Sequence, residues 1–238
     1  MGPGTPAVIL EDDEVVVVDK PGNMVCHSAQ RPGQASLATW VREHGVEIPR
    51  FVNRLDRETS GLVIVAKTER AAKNLGKQVL RREIAKEYVA ICWGEFEQDS
   101  GVIDKPIGLT KDSVVYTKRV VDEVFGKPCV TEFAVQQRLR GFTVLRLRPR
   151  TGRTHQLRVH MRWLGHPIVG DKVYGPDERL YLEFIEKGVT EEMLGKLLMP
   201  RHALHAMRVS FRHPSTQAPV TCEAALPADM AEFIASRC

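Results

Sequence analysis

The hydrophobic and polar positions along the chain predict a mixture of strands and helices. Short apolar or alternating runs that are bounded by turn residues are typical of strands. Such runs lie at residues 15–18, 62–66, 88–94, 114–116, 131–135, 142–147, 203–211 and 220–225. Along the run at 142–147 and just beyond it, Leu145 and Leu147 alternate with Arg146 and Arg148, which predicts a half-buried antiparallel sheet with one basic face.

Helices are predicted where apolar residues recur every three or four positions between a capping residue and a glycine. The segments with this pattern are residues 36–45, 68–82, 154–165 and 181–198, the last of which is broken at Gly188. Thr154 is the expected N-cap of the third helix, and Val79 is expected on the core face of the second. Because no internal repeat or linker separates these elements, we predict one domain over residues 1–238.

The distribution of charge is more informative than its sum. The chain has 238 residues, 43% of them hydrophobic, which can supply a full core for one large domain or two small lobes. The net charge is only +4, yet residues 133–170 contain eight arginines and no acidic residue. A long block of one sign predicts a polyanionic partner.

The cysteines and the hydropathy of the chain indicate where the protein works. Its five cysteines are odd in number and form no C-x-x-C pair, which argues against a disulfide framework and a structural zinc site. No apolar segment is as long as a membrane span, and the first residues lack the features of a signal peptide. We therefore predict a cytoplasmic protein without a membrane partner.

One charged loop leads directly into the apolar run at residues 62–66 and carries the first candidate for catalysis. Its sequence, N-R-L-D-R-E-T-S-G over residues 53–61, places Asp56 between Arg54 and Arg57. Nearby positive charge favours the ionised form of a carboxyl group, and a carboxylate nucleophile has to be ionised. An aspartate that only caps the turn is the alternative interpretation.

Other common sources of chemistry are missing from the sequence. His155 and His160 have no carboxylate arranged around them, so we predict no metal site. There is no Walker loop, no G-x-G-x-x-G and no G-x-S-x-G segment. Three candidate groups remain, namely an acid in a basic loop, a tyrosine at the start of a strand and an arginine on the helix after T-G-R-T-H-Q. These groups are enough for covalent chemistry on a nucleotide.

Several segments of the chain resemble one enzyme family in its own motif order. Residues 53–61 resemble the catalytic motif H-R-L-D-x-x-T-S-G of the pseudouridine synthases of the RluA branch. D-K-P at residues 19–21 resembles the opening motif of that family, and K-E-Y-V-A-I-C-W-G at residues 86–94 resembles its tyrosine motif. Residues 151–175 resemble its basic motif, and L-H-A at residues 204–206 resembles a later marker. The resemblance therefore covers nearly the whole chain.

The resemblance implies a fold, a reaction and three catalytic residues. The fold is an α+β domain built on a central, curved, mostly antiparallel mixed sheet with flanking helices and a catalytic cleft between two lobes. The reaction isomerises specific uridines in structured RNA, tRNA or rRNA, without a metal or a cofactor. Asp56 is the implied nucleophile, at carbon 6 of the base or at the anomeric carbon of the sugar. Tyr88 is expected to stack on the base, and Arg158 to keep Asp56 ionised.

A uridine inside a stem has to be flipped out before Asp56 can reach it. The resemblance implies that Arg54 inserts where the base had been. The basic strand and the helix around Arg146 to Arg162 are expected to hold the flanking phosphates, which fix position without reading sequence. The predicted RNA-binding residues are Arg54, Arg57, Arg153, Thr154, His155, Gln156 and Arg162.

Two departures from the family affect these expectations. Asn53 replaces the usual histidine of the catalytic motif, and its amide can donate and accept hydrogen bonds but cannot carry charge. No basic RNA-binding module precedes the motifs, so we expect the catalytic domain to recognise a compact tRNA arm or rRNA hairpin by itself. We also expect a monomer. Two other functions remain open, a non-catalytic RNA-binding or RNA-folding protein and a glycosidase of free nucleosides or sugars.

Overall fold

A computed structural model describes residues 4–27 and 35–237 of the chain. The strands along the chain are β1 (Ala7–Glu11), β2 (Val15–Lys20), β3 (Arg50–Phe51), β4 (Ser60–Ala66), β5 (Ala85–Trp93), β6 (Ser100–Asp104), β7 (Ile107–Leu109), β8 (Arg119–Val121), β9 (Val130–Leu139), β10 (Phe142–Pro149), β11 (Leu204–Arg212) and β12 (Pro219–Glu223). The helices are α1 (Leu37–Glu43), α2 (Glu69–Leu80), α3 (Gln156–Trp163), α4 (Arg179–Lys187), α5 (Glu191–Leu197) and α6 (Ala228–Ala235). Together they confirm the predicted α+β class with a mostly antiparallel mixed sheet.

The chain divides into two compact units. The first unit comprises residues 1–87 and 205–226, and the second comprises residues 88–204 and 227–238. None of the helices in the described part of the chain has the length and apolar content that crossing a bilayer requires.

The first unit is built on strands in the order β1-β2-β4-β11, with β3 also paired to β4 and β12 to β11. Pairing is antiparallel except between β4 and β11, which run parallel. Every residue of β4 is buried, as the continuous apolar run at residues 62–66 predicted. Ala71 and Leu75 of α2 pack against Leu62 and Ile64 in the core of this unit.

The second unit contains strands in the order β5-β10-β9-β6, all antiparallel, and a separate hairpin of β7 with β8. Leu145 and Leu147 of β10 are buried, whereas Arg148 is exposed, which confirms the alternation predicted for this strand. Helices α3 to α6 belong to the same unit. Gly188 ends α4 with a positive φ of 72°, so the predicted break in residues 181–198 is confirmed.

The structure corrects three local predictions. Residues 114–116 form part of a turn instead of a strand, because Val115 alone is buried there while Tyr116 is 82% exposed. On α2, Val79 is exposed and the polar Gln78 is buried in its place, where its amide bonds both backbone groups of Arg212. Helix α3 begins after His155 instead of Thr154. A left-handed residue at a helix start carries no signal in the apolar spacing, which explains the last error.

Candidate active site

The loop between β3 and β4 carries Asp56 and is held at several points by the first unit. The Asp56 carbonyl accepts the N–H of Thr59 at 3.2 Å, which closes the turn into β4. The Cys26 sulfur contacts the backbone of Leu55, since it lies 3.5 Å from both the backbone oxygen and the backbone nitrogen of that residue. The Asp56 side chain is half-buried, whereas Arg54 and Arg57 are exposed. The loop thus has a fixed backbone from which Arg54 and Arg57 reach outward.

Lys20 contributes a buried positive charge to this loop. Its side chain is fully buried, and Nζ donates to the carbonyl oxygens of Pro21 at 2.9 Å, Met24 at 2.9 Å and Arg57 at 3.3 Å. A buried ammonium has to be hydrogen-bonded, and these carbonyls meet that need. Lys20 therefore ties the end of β2 to the Asp56 loop.

Charges around the loop also act on the Cys26 thiol. Burial raises the pKa of this thiol, with opposing contributions from Lys20 and Arg54 and a further increase from Asp56. The raised pKa keeps the sulfur protonated at neutral pH, so that it serves as a weak hydrogen-bonding group.

Ser60 and Gly61 fix the junction between the loop and β4. Ser60 Oγ lies 3.0 Å from His205 Nδ1, and both residues are buried. Gly61 has a φ of +108° and packs against the backbone of Ala206 so closely that a Cβ atom would collide with the carbonyl oxygen. The glycine of the T-S-G segment is therefore required by the short parallel pairing of β4 with β11.

Tyr88 lies in the second unit on β5, directly opposite Leu147 of β10. Directly paired residues share one face of a sheet, and Leu147 is in turn paired with Phe133 of β9. The Tyr88 side chain is 8% exposed. Arg146 lies opposite Val89, so the basic side chains of β10 occupy the other face.

Helix α3 covers the face of the sheet that carries Tyr88. Thr131 of β9 lies two residues from Phe133 and therefore on the same face. Its hydroxyl accepts a hydrogen bond from Gln156 Nε2 at 3.0 Å and lies 2.9 Å from His160 Nδ1. Consequently the basic strand β10 and helix α3 do not form one continuous basic surface, since Arg146 and Arg148 lie on the face opposite to α3.

Arg158 is almost completely buried on α3 and forms a two-pronged ion pair with Asp171. Its Nε and Nη2 atoms donate to the two carboxylate oxygens at 2.6 and 2.8 Å, and its guanidinium lies over the Tyr174 ring at 4.9 Å. The side chains of Arg158 and Asp171 are 7% and 0% exposed. Their geometry fixes both the position and the charge of the guanidinium.

Asp171 is ionised in this setting despite its burial. Burial alone would raise the pKa of its carboxyl group, but the charge and hydrogen bonds of Arg158 hold that pKa well below its usual range. The backbone N–H groups of Val173 and Tyr174 each donate to Oδ1 at 2.9 Å. His202 adds a further favourable charge. Sequence reasoning missed Asp171, although its place in G-D-K-V-Y-G within the basic motif was a usable signal.

The T-G-R-T-H-Q segment forms a tight turn before α3. Arg153 and Thr154 are exposed, and His155 adopts a left-handed conformation with a φ of 58°. His155 Nδ1 lies 2.8 Å from the Tyr174 hydroxyl. Gln156, in contrast, is buried, and its Oε1 accepts from Thr151 Oγ1 at 2.8 Å and from the Arg153 N–H at 3.0 Å.

The residues selected from the sequence fall into both units. The loop of the first unit carries Arg54, Asp56 and Arg57. The second unit contains Tyr88, Arg158 and the remaining candidates. Among residues 4–27 and 35–237 there is no group of three or more His, Cys, Asp or Glu side chains suited to a metal ion.

Comparisons with known proteins agree with these motifs. Residues 14–163 match the family model described as RNA pseudouridylate synthase. The chain is 39% identical to ribosomal large subunit pseudouridine synthase D of Vibrio cholerae, over 95% of this chain and 69% of that protein. It is 37% identical to the uncharacterized RNA pseudouridine synthase YlyB of Bacillus subtilis, over 95% of this chain and 71% of that protein.

A solved structure shows the same fold. Human RNA pseudouridylate synthase domain containing 1 matches with a TM-score of 0.72 and 24% sequence identity, over 99% of this chain and 97% of the human chain. At this level of identity the match concerns the fold alone.

Proposed function

The chain belongs to the RNA pseudouridylate synthase family, and we propose that it converts a specific uridine of large-subunit ribosomal RNA into pseudouridine. The observation that carries the substrate is the 39% identity with a ribosomal large subunit pseudouridine synthase over almost the entire chain. A tRNA stem-loop is the alternative structured substrate. The reaction class follows from the family, whereas the RNA and the roles of individual residues are proposals.

Asp56 is the proposed nucleophile. Its carboxylate attacks the uridine at carbon 6 or at the anomeric carbon, and the bond between N1 and the sugar breaks. The uracil turns while it is held, carbon 5 then bonds to the sugar, and the bond between Asp56 and the substrate breaks, which restores the carboxylate. Carbon 5 loses its proton and N1 gains one, so the reaction is a balanced isomerisation that needs no metal or cofactor. The fixed backbone around Asp56 supports this role, because a nucleophile has to be held in place before the substrate arrives.

Tyr88 and Arg158 are proposed to assist Asp56. Tyr88 stacks on the uracil and takes part in removing the proton from carbon 5, and Arg158 provides the positive charge that keeps Asp56 ionised. The resemblance to the family carries these two roles. An arginine has five N–H donors, so a guanidinium that binds Asp171 through Nε and Nη2 can also serve a second carboxylate.

The RNA-binding residues divide into contacts and supports. Arg54 and Arg57 are exposed on the Asp56 loop, and we propose that Arg54 enters the space left by the flipped base. Arg153, Thr154 and Arg162 are exposed and suited to phosphate contacts. His155 is half-buried beside Tyr174, and the buried Gln156 contributes by holding the turn that presents Arg153. We also propose a monomeric, cytoplasmic, single-domain enzyme.

Release of tritium from RNA labelled at carbon 5 of uridine tests the proposal. Wild-type protein should release tritium from large-subunit ribosomal RNA, and Asp56→Asn should lower the rate by roughly 10⁴-fold or more, as the loss of a nucleophile does. Asp13→Asn is the matched control, because Asp13 is an exposed aspartate outside the motifs. This control should keep the wild-type rate.

Other outcomes would assign the protein to a rival function. Tight RNA binding without tritium release from any cellular RNA would favour the non-catalytic RNA-binding protein. Release of free uracil would favour the glycosidase. An Asp56→Asn variant that retains the wild-type rate would contradict the role of Asp56 without contradicting the reaction class.

A further inference from the structure

Asn53 lies where the β3–β4 ladder ends and the loop that carries Asp56 begins. Strand β3 pairs antiparallel with β4. Val52, the residue after β3, donates its backbone N–H to the carbonyl of Ile64 at 2.9 Å. One residue later, the side chain of Asn53 bonds the same edge of β4.

The amide of Asn53 continues the ladder by one step. Its Nδ2 donates to the carbonyl of Leu62 at 3.1 Å, and its Oδ1 accepts the backbone N–H of Ile64 at 2.8 Å. These are the groups that a neighbouring strand would bond. A side-chain amide carries a donor and an acceptor on one carbon, as a peptide group does, so Asn53 replaces a backbone step. The two nitrogens of a histidine ring diverge more widely than the oxygen and nitrogen of an amide, so this pair of bonds suits an amide better.

The bonds of Asn53 act on the loop three residues before Asp56. The other anchors of the loop hold Leu55 through Cys26 and Arg57 through Lys20. Asn53 is therefore the anchor that sets where the loop leaves the sheet. Losing this anchor would allow the start of the loop to shift, and a displacement of about 1 Å can lower a rate roughly a hundredfold.

We propose that Asn53 is a positioning residue, which replaces the histidine of the family motif and holds the Asp56 loop by imitating a backbone step of the β3–β4 ladder. The proposal rests on the proposed role of Asp56 as the nucleophile. It predicts an effect on turnover with little effect on RNA affinity, because Asn53 bonds only the edge of β4 in these contacts.

Asn53→Asp tests the proposal through pH. The new carboxyl group is nearly the same shape as the amide, but when ionised it has no donor for the Leu62 carbonyl. When protonated it regains one donor and one acceptor. At pH 8 the turnover of Asn53→Asp should be roughly a hundredfold below wild type. At pH 5.5 the deficit should be smaller, because a protonated carboxyl again donates to the Leu62 carbonyl.

The comparison with wild type at each pH removes the effect of other titrating groups. The charged and titratable groups on this loop and beside it include Lys20, Cys26, His27, Arg42, Arg54, Asp56, Arg57 and Glu58. They titrate in both proteins, so only the ratio of the two rates reports the new carboxyl. Asn74→Asp is the matched control, since Asn74 Oδ1 only accepts a hydrogen bond from Gln78 Nε2 and a carboxylate can do the same. Its ratio to wild type should stay near one at both pH values.

Amide hydrogen exchange over residues 53–60 provides a measurement that does not depend on activity. The Asn53→Asp variant should exchange faster than wild type at pH 8 and at the wild-type rate at pH 5.5. The proposal would be overturned if Asn53→Asp exchanged at the wild-type rate at both pH values or if its deficit in turnover did not change with pH. A loss of RNA affinity as large as the loss of turnover would overturn it as well. If wild-type protein releases no tritium, the proposed function fails, and the exchange measurement still decides the role of Asn53.

Discussion

At the scale of single residues, buried polar groups hold the charged groups that the proposed chemistry needs. Asp171 illustrates the point, because it accepts hydrogen bonds from Arg158 and from the backbone of Val173 and Tyr174. A buried pair of this kind contributes little net stability, but breaking it leaves one charge without its partner. The energetic consequence can be measured.

Asp171→Asn should destabilise the protein by about 3–5 kcal/mol, because it leaves the Arg158 charge buried without its carboxylate. Urea unfolding at pH 7 measures this loss. The pKa of Asp171 is depressed in the folded protein, so its contribution is present above the unfolded value of 3.8 and decreases as the pH falls below about 4. The variant should lack this decrease.

The exposed pair of Lys73 with Glu69 is the control for that prediction. Its atoms are 2.6 Å apart, but both side chains are about 70% exposed. Glu69→Gln should therefore change the unfolding free energy by no more than about 0.5 kcal/mol. An equal effect of the two substitutions would contradict the importance of burial for the Arg158 pair.

Candidate residues such as Asp56 could be selected from the sequence by residue type and motif, whereas residues whose contacts depend on distant partners were missed. Cys26 and Leu55 are 29 residues apart, and Lys20 and Arg57 are 37 apart. No local pattern shows that these pairs meet. The family resemblance marked D-K-P as a motif but gave no reason for its lysine.

At the scale of elements, periodic segments were predicted well and irregular ones were not. Helix α1 begins after Ser36, the expected N-cap, and the Ser36 Oγ accepts the N–H of Thr39 at 3.1 Å. Strands β1, β3 and β6 and helix α6 were missed. Strand β1 was missed because its residues are mostly exposed, so that its sequence shows no clear apolar face. Tertiary pairing with β2 decides its conformation.

Gly61→Ala tests whether the close approach of β4 and β11 at this junction requires a glycine. The substitution requires an L-residue at a φ of +108° and places a Cβ against the Ala206 carbonyl, so we expect a loss of at least about 3 kcal/mol in unfolding free energy. Gly76→Ala on α2 is the control, because nothing lies within 4 Å of its added Cβ and it should stabilise the helix by about 1 kcal/mol. A Gly61→Ala protein as stable as wild type would refute the close approach.

At the scale of the whole molecule, the block without acidic residues contacts carboxylates from other parts of the chain. Residues 133–170 contribute arginines whose carboxylate partners come from outside the block. The pairs are Arg138 with Asp99, Arg150 with Glu132, and Arg158 with Asp171. Counting charges along the chain therefore overestimated the basic surface, because sequence separation hides these pairings. The polyanion prediction rests more on the exposed arginines of the α3 turn and helix.

Arg162→Ala and Arg148→Ala separate these two contributions to RNA binding. Arg162 is exposed on α3, which covers the face of the sheet that carries Tyr88 of β5. Arg148 lies on the opposite face of that sheet. If Arg162 holds a phosphate, its loss should weaken binding and reduce the slope of log affinity against log salt by about 0.7–0.9. Arg148→Ala should leave that slope unchanged. Filter binding of a ribosomal RNA fragment over a salt series measures both, and an equal reduction for the two variants would show that RNA contacts the face opposite to Tyr88 as well.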